Sequence, residues 1–86
     1  MSNAITLNDQ ARKRLRQLRE ALKLSRPKFA ALLDIPPTTL KNYELGYREI
    51  GGSLFLLIAH HAELQAHTTW LLTGKDARTP MEPDAS

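Results

Sequence analysis

Residues 25–46, Ser-Arg-Pro-Lys-Phe-Ala-Ala-Leu-Leu-Asp-Ile-Pro-Pro-Thr-Thr-Leu-Lys-Asn-Tyr-Glu-Leu-Gly, decide how this chain folds. They read as two short helices joined by a tight turn. Ser25 is a good N-cap, and Pro27 falls in the first helical turn, where its missing N–H costs nothing. Phe29, Ala30, Leu32 and Leu33 give this helix an apolar side. Pro36 disfavours a helical conformation at Ile35, so the helix stops near Asp34. Pro36 and Pro37 allow a new helix to start but not an old one to continue. That second helix runs from about Pro37 to Glu44. Leu40 and Tyr43, three apart, face inward, while Thr38, Lys41 and Asn42 face away. Gly46 is placed as a left-handed stop.

Upstream, Ala11, Leu15, Leu18 and Leu22 recur at four, three and four, one stripe of a helix from about Asn8 to Lys23. Thr6 or Asn8 can cap its start, and Asp9 suits the positive end of its dipole. Arg12, Arg16, Arg19 and Lys23 lie on a neighbouring face. Downstream, Tyr47–Gly52 is a connector. A fourth helix is expected from Ser53, its cap, to about Glu63. Its run Leu54–Ala59 is apolar all round, so it is buried on more than one side, and a second subunit is a natural cover. A last helix, about His67–Leu72, brings Trp70, Leu71 and Leu72 inward and ends at Thr73-Gly74. The expected core is Leu15, Leu18, Phe29, Ala30, Leu40, Tyr43, Leu54, Leu57, Ile58, Trp70 and Leu71. Residues 1–7 read as a flexible N-terminal arm, 8–74 as the domain, and 75–86, with Pro80 and Pro83, as a flexible tail.

The 86 residues suffice for one small domain, and a hydrophobic content of 42% is that of a folded chain. The absence of cysteine removes disulfides and thiolate metal sites and fits a reducing cytoplasm. No apolar run is long enough to span a bilayer, and no signal segment opens the chain. The net charge of +3 is unevenly spread. Residues 1–48 carry ten Lys/Arg against four acids; residues 49–86 carry two against five. A basic half suggests a polyanionic partner.

Catalysis and cofactors find little support. His60 and His61 are sequence neighbours that point about 100° apart on a helix, and no clear partner joins them and His67 as metal ligands. Gly51-Gly52 lacks the Lys-Ser/Thr of a phosphate loop. No paired carboxylates and no nucleophile–base set stand at recognisable spacing. The expectation is a protein that is no enzyme, holds no cofactor or metal and binds no membrane.

Leu15-Arg16-Gln17-Leu18-Arg19, Leu24-Ser25, Phe29-Ala30-Ala31-Leu32-Leu33, Thr39-Leu40, Tyr43-Glu44, Gly46 and the closing Trp70-Leu71-Leu72-Thr73-Gly74 together resemble the helix-turn-helix family of Cro proteins and lambda-type phage repressors. The resemblance covers about Leu15 to Gly74. It implies an all-α, compact five-helix domain with the helix-turn-helix at helices 2 and 3 and the third helix reading DNA. By position, Pro37, Thr38 and Asn42 fall where members of the family meet base edges. Lys41 is adjacent, within reach of a base or a phosphate. Arg26, Lys28, Tyr47 and Arg48 suit contact with phosphates. Three departures stand out: Asp34 at a turn position usually held by Gly, Pro36 where a capping residue is usual, and Pro37 without a polar group at a base-facing place. The interval from Ala59 to Trp70 is also about two residues longer than is usual in the family.

The resemblance therefore implies sequence-specific binding of double-stranded DNA, and a transcriptional repressor or regulator acting as a homodimer on a palindromic operator. The dimer contact would come from helix 4 and the last helix. The alternative is a protein-interaction module of the same fold, an antitoxin or adaptor.

Overall fold

The computed structural model describes residues 3–75, with side chains from residue 6 onward. Five α-helices and one 3-10 turn follow in order: α1 (Asn3–Ala21), α2 (Arg26–Leu33), α3 (Pro37–Leu45), α4 (Gly52–His60), the turn Gln65–His67, and α5 (Thr68–Thr73). There is no strand among the described residues. The expected tail lies almost wholly outside them.

The α2–α3 unit follows its local punctuation. Ser25 is extended and accepts the Lys28 N–H at 3.3 Å. Asp34 takes the left-handed conformation (φ 56°) that closes α2, and its N–H donates to the Ala31 carbonyl at 3.2 Å. Asp tolerates this region better than most non-glycine residues. Pro36 then starts α3 with no side-chain cap, its carbonyl accepting from Thr39 and Leu40. Gly46 ends α3 at φ 80°.

The flanking helices depart from expectation in specific ways. α1 starts at Asn3, five residues before the expected Asn8. Asn8 is therefore not a cap, and its Oδ1 accepts the Ile50 N–H at 2.9 Å, tying α1 to the connector. α1 also ends early, at Ala21, because Lys23 turns left-handed (φ 60°) and the Leu24 N–H returns to the Arg19 carbonyl. Leu22, beyond the helix end, drops off the stripe and is exposed. Gly51, not Ser53, precedes α4 as its N-cap. α4 stops at His60, short of Glu63, and the turn through Leu64 into Gln65–His67 takes up the extra length before Trp70.

The core gathers around Phe29, Ala30, Leu40, Leu15, Leu18, Ile58 and Leu71, all closed to solvent. Each large side chain so buried is worth about 1.5–3 kcal/mol. Leu33, on the apolar side of α2, joins it, as do Ile50 and Leu64, for which no burial was expected. Leu57, expected inside, is 40% exposed. The reason is geometric: Leu54 and Ile58, four apart, form the inward line of α4, and Leu57 is rotated off it. Leu72 likewise points outward while Trp70 and Leu71 are buried. α3 packs on α1 and α2, and α4 lies against α2 and α5, so the α2–α3 unit is backed on two sides.

Candidate nucleic-acid interface

The inward residues of α3 are Leu40, Tyr43 and Glu44, at spacings that put all three on one side of a helix. That side is spent on the core. Thr38 and Lys41 consequently stand exposed on the opposite side, and Asn42 lies half-buried at its edge. The spacing of 38, 41 and 42 puts these polar groups on one surface. Thr38, Lys41 and Asn42 thus share an outward face, and Pro37, which precedes Leu40 by three residues, is exposed at the start of the helix.

Past α3, the left-handed Gly46 lets the chain fold back, and the Tyr47 and Arg48 N–H groups donate to the Asn42 carbonyl at 2.9 and 3.2 Å. This fixes the segment beside the helix. Tyr47 is 76% exposed. The Arg48 guanidinium stands 5.5 Å from the centre of the Tyr43 ring, a cation–π distance. Lys28, one turn into α2, is exposed.

Arg26 is placed differently from the other expected phosphate groups. Its Nε donates to Glu44 Oε1 at 2.9 Å, and its side chain is 30% exposed. Glu44 is the buried charge of the domain, its side chain wholly closed to solvent. Arg19 of α1 grips it with Nε on Oε2 at 2.7 Å and Nη2 on Oε1 at 3.1 Å, and gives Nη1 to the Leu24 carbonyl. One carboxylate on α3 is thus held from α1 and α2 together. Such a buried charge persists only when paired and hydrogen-bonded. Glu44 had been read as part of a motif without a role. Its position, one residue past Tyr43 on the inward side, together with a basic α1, was the available signal.

The basic run of α1, which supplies much of the charge of the basic half, is mostly consumed within the protein. Arg12 pairs with Asp9 at 2.6 Å and donates Nη1 to the Glu44 carbonyl at 3.2 Å. That hydrogen bond with Arg12 holds the Asp9 carboxyl below its ordinary pKa. Arg14 reaches α5 and donates to the Leu71 and Leu72 carbonyls at 2.9 and 3.3 Å, closing that helix end; burial lowers its pKa. Lys13 pairs with Asp9, and Arg16 with Glu20. Of the ten cations in residues 1–48, Arg14, Lys23, Lys28, Lys41 and Arg48 have no ion-pair partner among the described residues, and of these Arg14 is engaged by backbone carbonyls. Lys28 and Lys41 stand on α2 and α3, and Arg48 directly follows α3.

His60 and His61 are engaged locally, while His67 Nδ1 is buried with no partner among the described residues. His60 Nδ1 donates to the Leu56 carbonyl at 2.8 Å, and His61 Nδ1 accepts the Glu63 N–H at 3.1 Å. Among the described residues no three His, Asp or Glu side chains converge as metal ligands, and no helix is long and apolar enough to cross a membrane. Two apolar recesses flank α4. One, of about 510 Å³, is lined by Leu32, Leu33, Leu56 and Leu57 with Asp34 and the two histidines. The other, of about 320 Å³, is lined by Leu7, Ala11, Ile50, Phe55 and Leu72 with Asn8 and Glu49.

A family model described as helix-turn-helix matches residues 15–63, more than half of the chain. That span runs from the middle of α1, through the α2–α3 unit, to just past α4. No curated protein and no solved structure matches the chain. The all-helical architecture agrees with the family match. The chain belongs to the lambda repressor/Cro-like helix-turn-helix family, whose members are DNA-binding transcriptional regulators.

Proposed function

We propose that this protein is a transcriptional regulator of the phage-repressor type, with α3 in the major groove of double-stranded DNA. Thr38, Lys41 and Asn42 read base edges there. Asn42 suits adenine, whose edge offers one acceptor and one donor to an amide. Pro37 offers shape and contact with a thymine methyl. Lys28, Arg48, Tyr47 and Arg26 grip phosphates, which sets register without reading sequence. The observation that carries this reading is the outward face of α3, polar from Thr38 to Asn42 and flanked by the unpaired cations Lys28 and Arg48.

One α3 covers only a few base pairs, so selectivity favours two copies on a palindrome, their helices about 34 Å apart. The exposed leucines of α4 and α5 are the apolar surface for that pairing. The function involves no chemistry on a substrate. The test is selection of bound sequences from a random duplex pool, followed by titration at several salt concentrations. A consensus with dyad symmetry is expected, and for about five phosphate contacts a log–log salt slope of roughly −4 to −5. No enrichment combined with a flat salt response would sink this reading.

The recess lined by Leu32, Leu33, Leu56 and Leu57 favours a second reading, a protein-interaction module such as an antitoxin or adaptor. The same selection separates the two, because a pure interaction module enriches no sequence.

A further inference from the structure

Arg26 faces two ways. It is the first residue of α2, and its Nε is bound to Glu44 Oε1 at 2.9 Å. Among the described residues that Nε–H is its only side-chain hydrogen bond, so both Nη groups remain to donate, on a side chain that is 30% exposed. Glu44 does not need Arg26 for neutrality, since Arg19 already engages both carboxylate oxygens. Glu44 also belongs to the helix whose outer face carries Thr38, Lys41 and Asn42. A guanidinium is planar and rigid, with donors diverging in a fixed fork. It can hold a carboxylate on one edge and a phosphate on another, which the compact ammonium of Lys cannot do in one geometry.

We propose that Arg26 is a positioning residue that couples a DNA phosphate to the orientation of α3. Its Nη edge binds one phosphate of the backbone. Its Nε edge passes that anchor directly to Glu44, and so to the register of Thr38, Lys41 and Asn42 in the groove. The proposal rests on the DNA-binding reading above. Lys28 and Arg48 differ in kind, having no carboxylate of α3 behind them.

The test measures affinity for the selected duplex and for a random duplex against salt, for wild type and for Arg26→Ala, Arg26→Lys and Lys28→Ala. Thermal melting of each variant identifies the temperatures at which all are folded. Arg26→Ala is expected to lower the salt slope by about one and to cut the ratio of specific to random affinity about tenfold. Arg26→Lys is expected to keep the slope and lose the ratio. Lys28→Ala is expected to lose slope and keep the ratio. A purely structural Arg26 would shift melting and leave slope and ratio alone, which overturns the proposal. So does a lowered slope with an intact ratio in Arg26→Ala, since the phosphate contact then positions nothing. If Arg26→Ala does not fold, Arg26→Lys decides, and an intact ratio in it overturns the coupling. Wild type that binds neither duplex fails the DNA-binding reading and the proposal falls with it; wild type that binds, with unchanged Arg26 variants, fails the proposal alone.

Discussion

Arg19 and Glu44, 25 residues apart in the chain, meet as a two-pronged ion pair at 2.7 and 3.1 Å inside the domain. The pair fastens α3 to α1, and the Glu44 side chain is wholly buried. A buried pair is weak support for stability as such, because desolvating both charges is costly. Breaking it from one side is a different matter.

Glu44→Gln leaves the Arg19 guanidinium, 11% exposed, without its countercharge. The expected loss is about 3–5 kcal/mol. For a domain of this size each kcal/mol lowers Tm by about 4–8 °C. Urea unfolding measures it, and a loss below about 1 kcal/mol would mean that solvent reaches the Arg19 guanidinium and stands in for the pair.

The two left-handed helix ends of the recognition unit should respond oppositely. Gly46 has φ 80°, and a Cβ there would lie 2.9 Å from Arg12 Nε. Gly46→Ala is expected to destabilise by about 1–2 kcal/mol. Asp34 has φ 56° and bears the strain that a glycine would relieve. Asp34→Gly is expected to stabilise by up to about 1 kcal/mol. Paired denaturation curves decide both signs.

Reading and gripping should come apart by mutation. Asn42→Ala is expected to lose about 1–3 kcal/mol on the preferred site and to relax one base pair of the selected motif. Arg48→Ala is expected to weaken all sequences alike and lower the salt slope by about one. An unchanged motif in Asn42→Ala would place another residue of α3 at that base.

Assembly is expected to depend on the leucines left outside α4 and α5. Leu56 is 62% exposed and Leu72 46%. Leu56→Glu or Leu72→Glu is expected to abolish dimers while the far-ultraviolet circular dichroism stays unchanged. Sedimentation at tens of micromolar, with and without a palindromic duplex, reads the result. A wild type that is monomeric in both conditions, one per duplex, would leave the dimer without support.

What the sequence made legible was what local chemistry decides. Ser25, Pro36 and Gly46 each act within a turn of the helix they bound, and α2 and α3 lie within a residue of where those signals put them. Boundaries set by tertiary contact were hidden. α1 extends back to Asn3 with Asn8 serving the distant Ile50 N–H, and α4 ends at His60 because the chain must turn for Leu64 to be buried. Burial on α4 also depended on which line faces the core, which a uniformly apolar run cannot disclose. Of the candidate interface, the shared outward face of Thr38, Lys41 and Asn42 followed from periodicity. The commitment of Arg12, Arg14 and Arg19 to the Glu44, Leu71 and Leu72 carbonyls and the Glu44 carboxylate did not, since those partners lie 25 to 58 residues away.

The proline pair at the head of α3 acts on a state of the protein that no contact describes. Pro36 gives α3 no side-chain hydrogen bond at its start, and a good cap there is worth about 1 kcal/mol. Prolines whose fixed φ suits the folded chain shrink the unfolded ensemble, each by a comparable 0.4–1 kcal/mol, roughly. The loss in the native state is thus offset by the narrower freedom of the denatured one. α3 starts from a junction that is stiff by covalent geometry. It owes that stiffness to no hydrogen bond that water or a nucleic acid could take away.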